Sequence, residues 1–254
     1  MTSPVVAPIS PATARSVSPP NPRAASTRHT ASETSSRRAS WSPRAGVIPG
    51  TVHTQRLLRT TRPRAPGPAV YAIPLAPGAE LRPLEPWQAP EFLAHIDRAR
   101  AHTDPWIPWA TYSTDLDSAR ATLQSYADKQ AADRGRIFGI WREGTLVGGV
   151  MFVHFDAAAG TCEIGVWSEP AGEGHGLVTA AARHLLTHAF TTRGLHRAEW
   201  RTTPRNTRSR AAAQRLGMTL DGTLRESSSY RGEPLDIEVW SVLAREWEAR
   251  AGTH

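Results

Sequence analysis

The chain has 254 residues, a formal net charge of +7 and a single cysteine. This length suits one domain of ordinary size with an extension, or two small domains. One cysteine excludes an internal disulfide framework, and no stretch approaches the roughly 20 apolar residues of a membrane span. The composition therefore predicts a soluble, cytoplasmic protein that does not enter a membrane.

The positive charge belongs to residues 1–70. They contain ten arginines and one acidic residue, Glu33, whereas residues 71–254 contain 20 basic and 22 acidic residues. The segment is rich in Ser, Thr, Pro and Ala, so it cannot bury enough apolar surface to offset its chain entropy. We predict a disordered basic tail over residues 1–70 and one folded domain over residues 71–254.

Three roles of this tail stay open. Clustered arginines attract phosphate without sequence preference, which suits an arm that binds a ribosome or other nucleic acid. A targeting segment is disfavoured, because Pro and Arg interrupt every apolar run. The third alternative is a dispensable linker, or translation from an early start codon.

Hydrophobic patterning over the folded part predicts alternating helices and strands. In chain order these are a strand over 79–85, helices over 86–101 and 116–134, a hairpin over 136–142 and 145–155, a strand over 161–167, a helix over 178–192, a strand ending at 202, a helix over 206–216 and a hairpin over 230–241. This order predicts a mixed α/β sheet with helices on both faces.

A glycine-rich turn joins the strand over 161–167 to the helix after it. Gly172, Gly174 and Gly176 fall at every second residue. Glycines let backbone N–H groups close on an anion, and a helix N-terminus adds a favourable dipole. The spacing fits neither the dinucleotide fingerprint nor the P-loop. By itself the pattern indicates either a phosphate site or a tight structural turn.

The segment Glu173-Gly174-His175-Gly176-Leu177-Val178 resembles the acyl-coenzyme A pyrophosphate loop of the GNAT N-acetyltransferase superfamily, Q/R-x-x-G-x-G/A. It departs from that loop at Glu173, where Gln or Arg is usual, and at Val178, where Gly or Ala is usual. A carboxylate repels a pyrophosphate, so Glu173 is expected to point away from it or to weaken its binding.

Motifs around this turn are similar to those of the RimJ/RimL branch of the superfamily. In chain order they are Cys-Glu-Ile-Gly-Val-Trp, Gly-Leu-His-Arg, Asn-x-x-Ser, Leu-Gly-Met and Asp-Ile-Glu-Val-Trp-Ser. The resemblance covers about Ile73 to Trp247. It implies the GNAT fold, a mixed and mostly antiparallel sheet with splayed central strands, and transfer of an acetyl group from acetyl-CoA to an amine.

The same resemblance implies a set of coenzyme-binding residues along the turn, on the strand before it and at the start of a later helix. They are Val166, Trp167, Glu173, Gly174, His175, Gly176, Leu177, Val178, Thr179, Asn206 and Ser209. A main-chain N–H near Val166 would face the thioester oxygen.

The resemblance also implies the acid and the base. Glu163 is the expected base, with Glu226 or a water relay as alternatives, and either carboxylate could instead be an exposed or salt-bridged strand residue. Some RimL-type enzymes carry a glutamate where this chain has Ser228. Ser209 is the expected acid, because Ala213 stands where many GNAT proteins place a tyrosine. Ser209 could alternatively serve only to cap its helix.

Other side chains have weaker patterns. Trp106, Trp109 and Tyr112 could wall an acceptor groove or belong to the core. His184 and His188 lie one helical turn apart, but no third ligand is evident, so no metal is expected.

The expected acceptor is a protein N-terminal α-amine, as in RimJ/RimL enzymes. A small amine or aminoglycoside is the alternative substrate, and a non-enzymatic acyl-CoA- or ribosome-binding protein is the alternative class. A ribosome or ribosomal protein could be a partner, nucleic acid could bind only through the tail, and the chain is expected to be a monomer or homodimer.

Overall fold

A computed structural model of the chain describes residues 71–106 and 112–251. The predicted tail and Trp109 lie outside this part. The strands are β1 Ile73–Ala76, β2 Ala79–Pro83, β3 Arg136–Arg142, β4 Thr145–Asp156, β5 Thr161–Ser168, β6 Arg197–Thr202, β7 Thr219–Tyr230 and β8 Glu233–Leu243. The α-helices of the described part are α1 Ala89–Thr103, α2 Leu116–Ala131, α3 Leu177–Thr187, α4 Thr207–Arg215 and α5 Ala244–Ala251.

The eight strands form one sheet in the order β1-β2-β3-β4-β5-β6-β8-β7. Every neighbouring pair is antiparallel except β5 and β6, which run parallel. Their pairing covers three residue pairs and ends at Glu163 and Glu199, although β5 continues to Ser168 and β6 to Thr202. The central strands therefore separate, and the predicted mixed, mostly antiparallel sheet with splayed strands is confirmed.

The predicted elements are found with shifted ends. The hairpin of β3 and β4 turns at Glu143 and Gly144 as predicted. The predicted helix over 178–192 is α3 followed by a π-helical turn, His188–Thr192. Patterning missed β1 because this short edge strand is mostly exposed, and it missed the first residues of β7 because their side chains are exposed on both faces.

Two apolar layers cover the sheet. On one face, called the α3 face, buried residues of α3, α4 and α5 pack against the sheet. On the other, called the α1 face, buried residues of α1 and α2 pack against it. Strand side chains alternate between faces, so β5 sends Cys162, Ile164 and Val166 to the α3 face and Trp167 to the α1 face. By the same alternation Glu163 lies on the α1 face.

No helix within residues 71–106 and 112–251 has the length and apolar character needed to cross a membrane.

Candidate active site

The turn between β5 and α3 contains two glycines in the left-handed region of backbone conformation. Gly174 has φ +77° and Gly176, the N-cap of α3, has φ +70°. A Cβ added to either glycine would have no neighbouring atom within 4 Å. Backbone conformation, rather than crowding, is therefore the reason for glycine here, and open space lies beside the turn.

That space is a cavity of about 420 Å³. The turn and the start of α3 form one wall, and α4 forms the other, through Arg208, Ala211 and Arg215. Gly174, Gly176, Leu177, Val178 and Thr179 all line it, as does Glu173. His175, also predicted to bind the coenzyme, is exposed beside them.

Glu173 is held by two basic side chains. Its Oε1 accepts a hydrogen bond from Nε2 of His102, at 2.8 Å, and forms an ion pair with the Arg208 guanidinium. His102 lies in the last turn of α1 and Arg208 in the first turn of α4. The repulsion expected from this carboxylate is therefore offset by a neighbouring cation that sequence spacing did not reveal.

The start of α4 orients the predicted acid. The Asn206 side chain caps the helix, with Oδ1 accepting from the Ser209 N–H at 3.1 Å. Ser209 is fully buried, and its Oγ accepts a hydrogen bond from the Trp200 indole at 2.9 Å. Because the indole only donates, the Ser209 hydroxyl proton is left to be donated elsewhere. Ala213, one turn along, is buried core.

Glu163 is a buried carboxylate at the point where β5 and β6 separate. The residue is 5% exposed. Its Oε2 lies 3.6 Å from Nε of Arg201, and its Oε1 has no hydrogen-bond partner in the described part of the chain. Burial raises the pKa of Glu163 to about 7, against an opposing effect of the Arg201 charge and with a further increase from Glu199. Such a pKa suits a group that accepts a proton near neutral pH.

Three hydroxyls near the ends of the strands are buried or half-buried without a partner among the described residues. They belong to Thr202, the last residue of β6, to Thr203 beside it, and to Ser228 after the irregularity in β7. A buried polar group left unpaired costs about 1–3 kcal/mol.

The other predicted catalytic residue, Glu226, is exposed. It has φ +48° and its N–H donates to Oδ1 of Asp236 at 2.8 Å. Arg231, which lies close to it in the sequence, forms an ion pair with Asp104.

The predicted acceptor-binding and strand residues lie in different surroundings. Trp106 is half-buried against the α1-face layer, and Tyr112 is 70% exposed. Val166 is buried on the α3 face and Trp167 on the α1 face. The Trp167 side chain is fully buried, so only its main chain is available to a coenzyme between the strands.

A buried polar cluster that sequence reasoning missed ties α1 to the end of β5. The Trp167 indole donates to Nε2 of His95 at 3.0 Å, and Nδ1 of His95 lies 3.3 Å from Glu169. Arg98 donates to Glu169 at 3.1 Å and to the Leu146 carbonyl at 2.8 Å. Burial acts to raise the pKa of Glu169, but contacts with His95 and Arg98 outweigh burial and lower it. The cluster fixes the residue from which the glycine turn starts.

The histidines and the cysteine have other surroundings. His184 and His188 line an apolar cavity of about 210 Å³ behind α3. In the part of the chain that the structure describes, no group of three or more His, Cys, Asp or Glu could hold a metal ion. Cys162 is buried in the α3-face core, and burial raises the pKa of its thiol to about 12.

Comparison with known families identifies the family to which this fold belongs. A family model described as an acetyltransferase (GNAT) domain matches residues 79–219. The chain belongs to the GNAT acetyltransferase family. It is an enzyme that transfers an acetyl group, with acetyl-CoA as the acetyl donor.

Relatives of this GNAT enzyme include two curated bacterial proteins. "Putative ribosomal N-acetyltransferase YdaF" of Bacillus subtilis is 30% identical over 173 residues, which are 66% of this chain and 92% of that protein. The ribosomal-protein-serine acetyltransferase of Escherichia coli is 23% identical over 137 residues, 54% of this chain and 76% of that protein. A solved structure of RimL, a ribosomal L7/L12 α-N-protein acetyltransferase bound to coenzyme A, has 21% identity and a TM-score of 0.64, covering 68% of this chain and 97% of that one.

The glycine turn generates a prediction. Gly176→Val should keep the fold, because a Cβ there meets no atom within 4 Å, yet it strains the backbone and places a side chain in the cavity. We expect coenzyme A binding, measured by calorimetry, to weaken more than about tenfold. Gly194→Val is the matched control, since Gly194 also has positive φ and open space but does not line the cavity. Equal affinity in the two variants would contradict coenzyme binding at this turn.

Proposed function

We propose that this GNAT enzyme acetylates the N-terminal α-amine of a protein, and of a ribosomal protein in particular. The names of the two curated relatives support a protein acceptor. The observation that carries the proposal is Glu163, a buried carboxylate with an unpartnered oxygen and a pKa near neutrality, on the face of the sheet opposite the glycine turn.

In this proposal acetyl-CoA enters from the α3 face. The cavity fits its phosphates, because two left-handed glycines, the N-terminus of α3 and two arginines converge there. From the turn, the pantetheine arm would run between β5 and β6, where the strands are no longer paired. The β5 main chain around Val166 and Trp167 and the Asn206 side chain border that path, and they are proposed to bind the arm and hold the thioester.

The amine would approach from the α1 face. Glu163 takes a proton from the ammonium form of the acceptor, the neutral nitrogen attacks the thioester carbon, and the carbon–sulfur bond breaks as the nitrogen loses its second proton to water. Ser209 lies in α4, on the α3 face, and gives its proton to the departing sulfur. It regains a proton from water, while its Oγ keeps the hydrogen bond from Trp200. The opening between the strands thus separates the base from the acid, so that each group meets a different reactant.

The acceptor groove is proposed to lie between the end of α1 and the hairpin of β7 and β8. Tyr230 and Arg231, at the tip of this hairpin, contact Asp104, which follows α1. This contact brings the hairpin over the α1 face. Trp106, Trp109 and Tyr112 follow α1 directly, and we propose that they border the groove and contact the first residues of the acceptor chain.

The acceptor is testable with matched substrates. We expect acetyl transfer to peptides with a free N-terminus, and no transfer to the same peptides after N-terminal blocking even when they contain lysine. Mass spectrometry would place the acetyl group on the α-amine. Turnover confined to small amines or aminoglycosides would contradict a protein acceptor and favour the alternative substrate class.

The proposed base predicts a change in both rate and stability. Glu163→Gln should lower kcat by about 100-fold or more and remove the rising limb of the pH–rate profile near pH 7, leaving the titration of the acceptor amine. Because the folded pKa lies above the unfolded value, the ionisation of Glu163 lowers stability as the pH rises from about 4.5 to 7, and the whole penalty remains above pH 7. The variant should therefore unfold at an equal or higher temperature than the native protein at pH 8.

Glu226→Gln is the comparison for this experiment. It removes the same charge from the exposed alternative carboxylate. A rate loss in Glu226→Gln with none in Glu163→Gln would assign the base to Glu226. A loss in neither variant would assign proton removal to water.

If Ser209 is the acid, removal of its hydroxyl should lower the turnover rate and leave coenzyme binding nearly unchanged. Ser209→Ala should lower kcat by about 100-fold while coenzyme A affinity changes little, because the proton is transferred only as the sulfur leaves. Ser209→Cys, which keeps a proton donor of similar size, should retain more activity. A loss of less than about threefold would mean that water protonates the sulfur.

A further inference from the structure

We propose that Arg208 binds the coenzyme pyrophosphate in this enzyme and that Glu173 is the positioning residue that holds it. Arg208, from α4, thereby supplies the positive charge that the loop motif has where its first residue is Arg. This inference rests on the part of the proposed function that puts acetyl-CoA at the glycine turn, and it is independent of the acceptor.

The geometry of the cavity carries the argument. Arg208 lines the same cavity as Gly174, Gly176 and the first residues of α3. Its side chain is 26% exposed, and its guanidinium contacts Oε1 of Glu173, whose side chain is 17% exposed. The same oxygen accepts from His102 at 2.8 Å. Glu173 is therefore fixed between two helices, and Arg208 is fixed by Glu173 at the wall of the cavity.

The charges of the lining residues favour an anion. Glu173 is the one carboxylate among them, and Arg208 and Arg215 contribute two positive charges. A guanidinium has five N–H donors arranged as a planar fork, so a contact with one carboxylate oxygen leaves other donors for a phosphate. A side chain held in place before binding also loses less conformational freedom when the ligand arrives.

Arg208 has a second explanation that experiment can separate from the first. It could serve only to neutralise Glu173, without touching the coenzyme. In that case removal of Arg208 would weaken coenzyme binding solely because it exposes the Glu173 charge. Removal of both charges would then restore the native affinity. If Arg208 contacts the phosphate, the double variant keeps a weakened affinity, because that contact is lost with or without the Glu173 charge.

The test is a double-mutant cycle read out by equilibrium binding. The affinities of coenzyme A and of dephospho-coenzyme A, which lacks the 3′-phosphate, are measured by calorimetry for the native protein, Arg208→Gln, Glu173→Gln and the double variant. We expect Arg208→Gln to weaken binding about tenfold or more when Glu173 is present. In the Glu173→Gln background, where Arg208 is no longer held, we expect a smaller but still measurable loss, and both factors should be similar for the two ligands. Native affinity in the double variant, or a loss confined to coenzyme A, would overturn the role of Arg208, and equal losses in the two backgrounds would overturn the positioning role of Glu173.

Two controls make the outcome specific. Arg205→Gln removes an equal charge from the exposed residue just before α4, outside the cavity, and should leave affinity unchanged. Unfolding temperatures of all variants verify the fold. If Gly176→Val abolishes binding while Arg208→Gln does not, only the role of Arg208 fails. If neither variant weakens binding, the placement of the coenzyme at the glycine turn fails as well.

Discussion

The separation of β5 from β6 is the constraint on which the rest of the molecule depends. Both strands continue beyond the pair Glu163–Glu199 without pairing each other, although each stays paired on its outer edge. A parallel pair that opened in water would lose stability, since unpaired backbone groups must find partners. Here the α1 and α3 layers hold both strands in place from opposite faces, so the gap between the two strands persists.

The two faces of the sheet beside this gap carry different chemistry. The α3 face carries the glycine turn, two arginines and the oriented Ser209 hydroxyl. The α1 face carries a carboxylate whose burial raises its pKa to about 7. In the proposed mechanism, the acetyl donor and the acceptor amine therefore bind on different faces of the sheet.

Buried polar contacts fix the elements on either side of the gap between β5 and β6. His95, Arg98 and Glu169 connect α1 to the end of β5, and His102 connects the same helix to Glu173 inside the glycine turn. Buried or half-buried ion pairs are costly to break singly, because the remaining partner is left uncompensated. The turn is therefore held by α1 as well as by its own backbone.

The sequence by itself determined the fold class, the family resemblance and the position of the glycine turn. These follow from local causes: alternation of apolar residues, left-handed glycines and a helix-capping Asn206 act over a few neighbouring positions. The motif also gave the location of Glu163 and Ser209, though not their surroundings. The elements that patterning missed, such as β1, are short or exposed and carry little periodic signal.

Only the tertiary structure decided the charges and protonation around the site. From the sequence alone, Glu173 was expected to repel a pyrophosphate. In the fold it contacts Arg208 and His102, which lie 35 and 71 positions away along the chain. The pKa of Glu163 depends on its burial and on charges from α2 and β6, which no local pattern encodes. Electrostatic interactions act through space and grow as water is removed, so they are fixed by which distant residues the fold brings together.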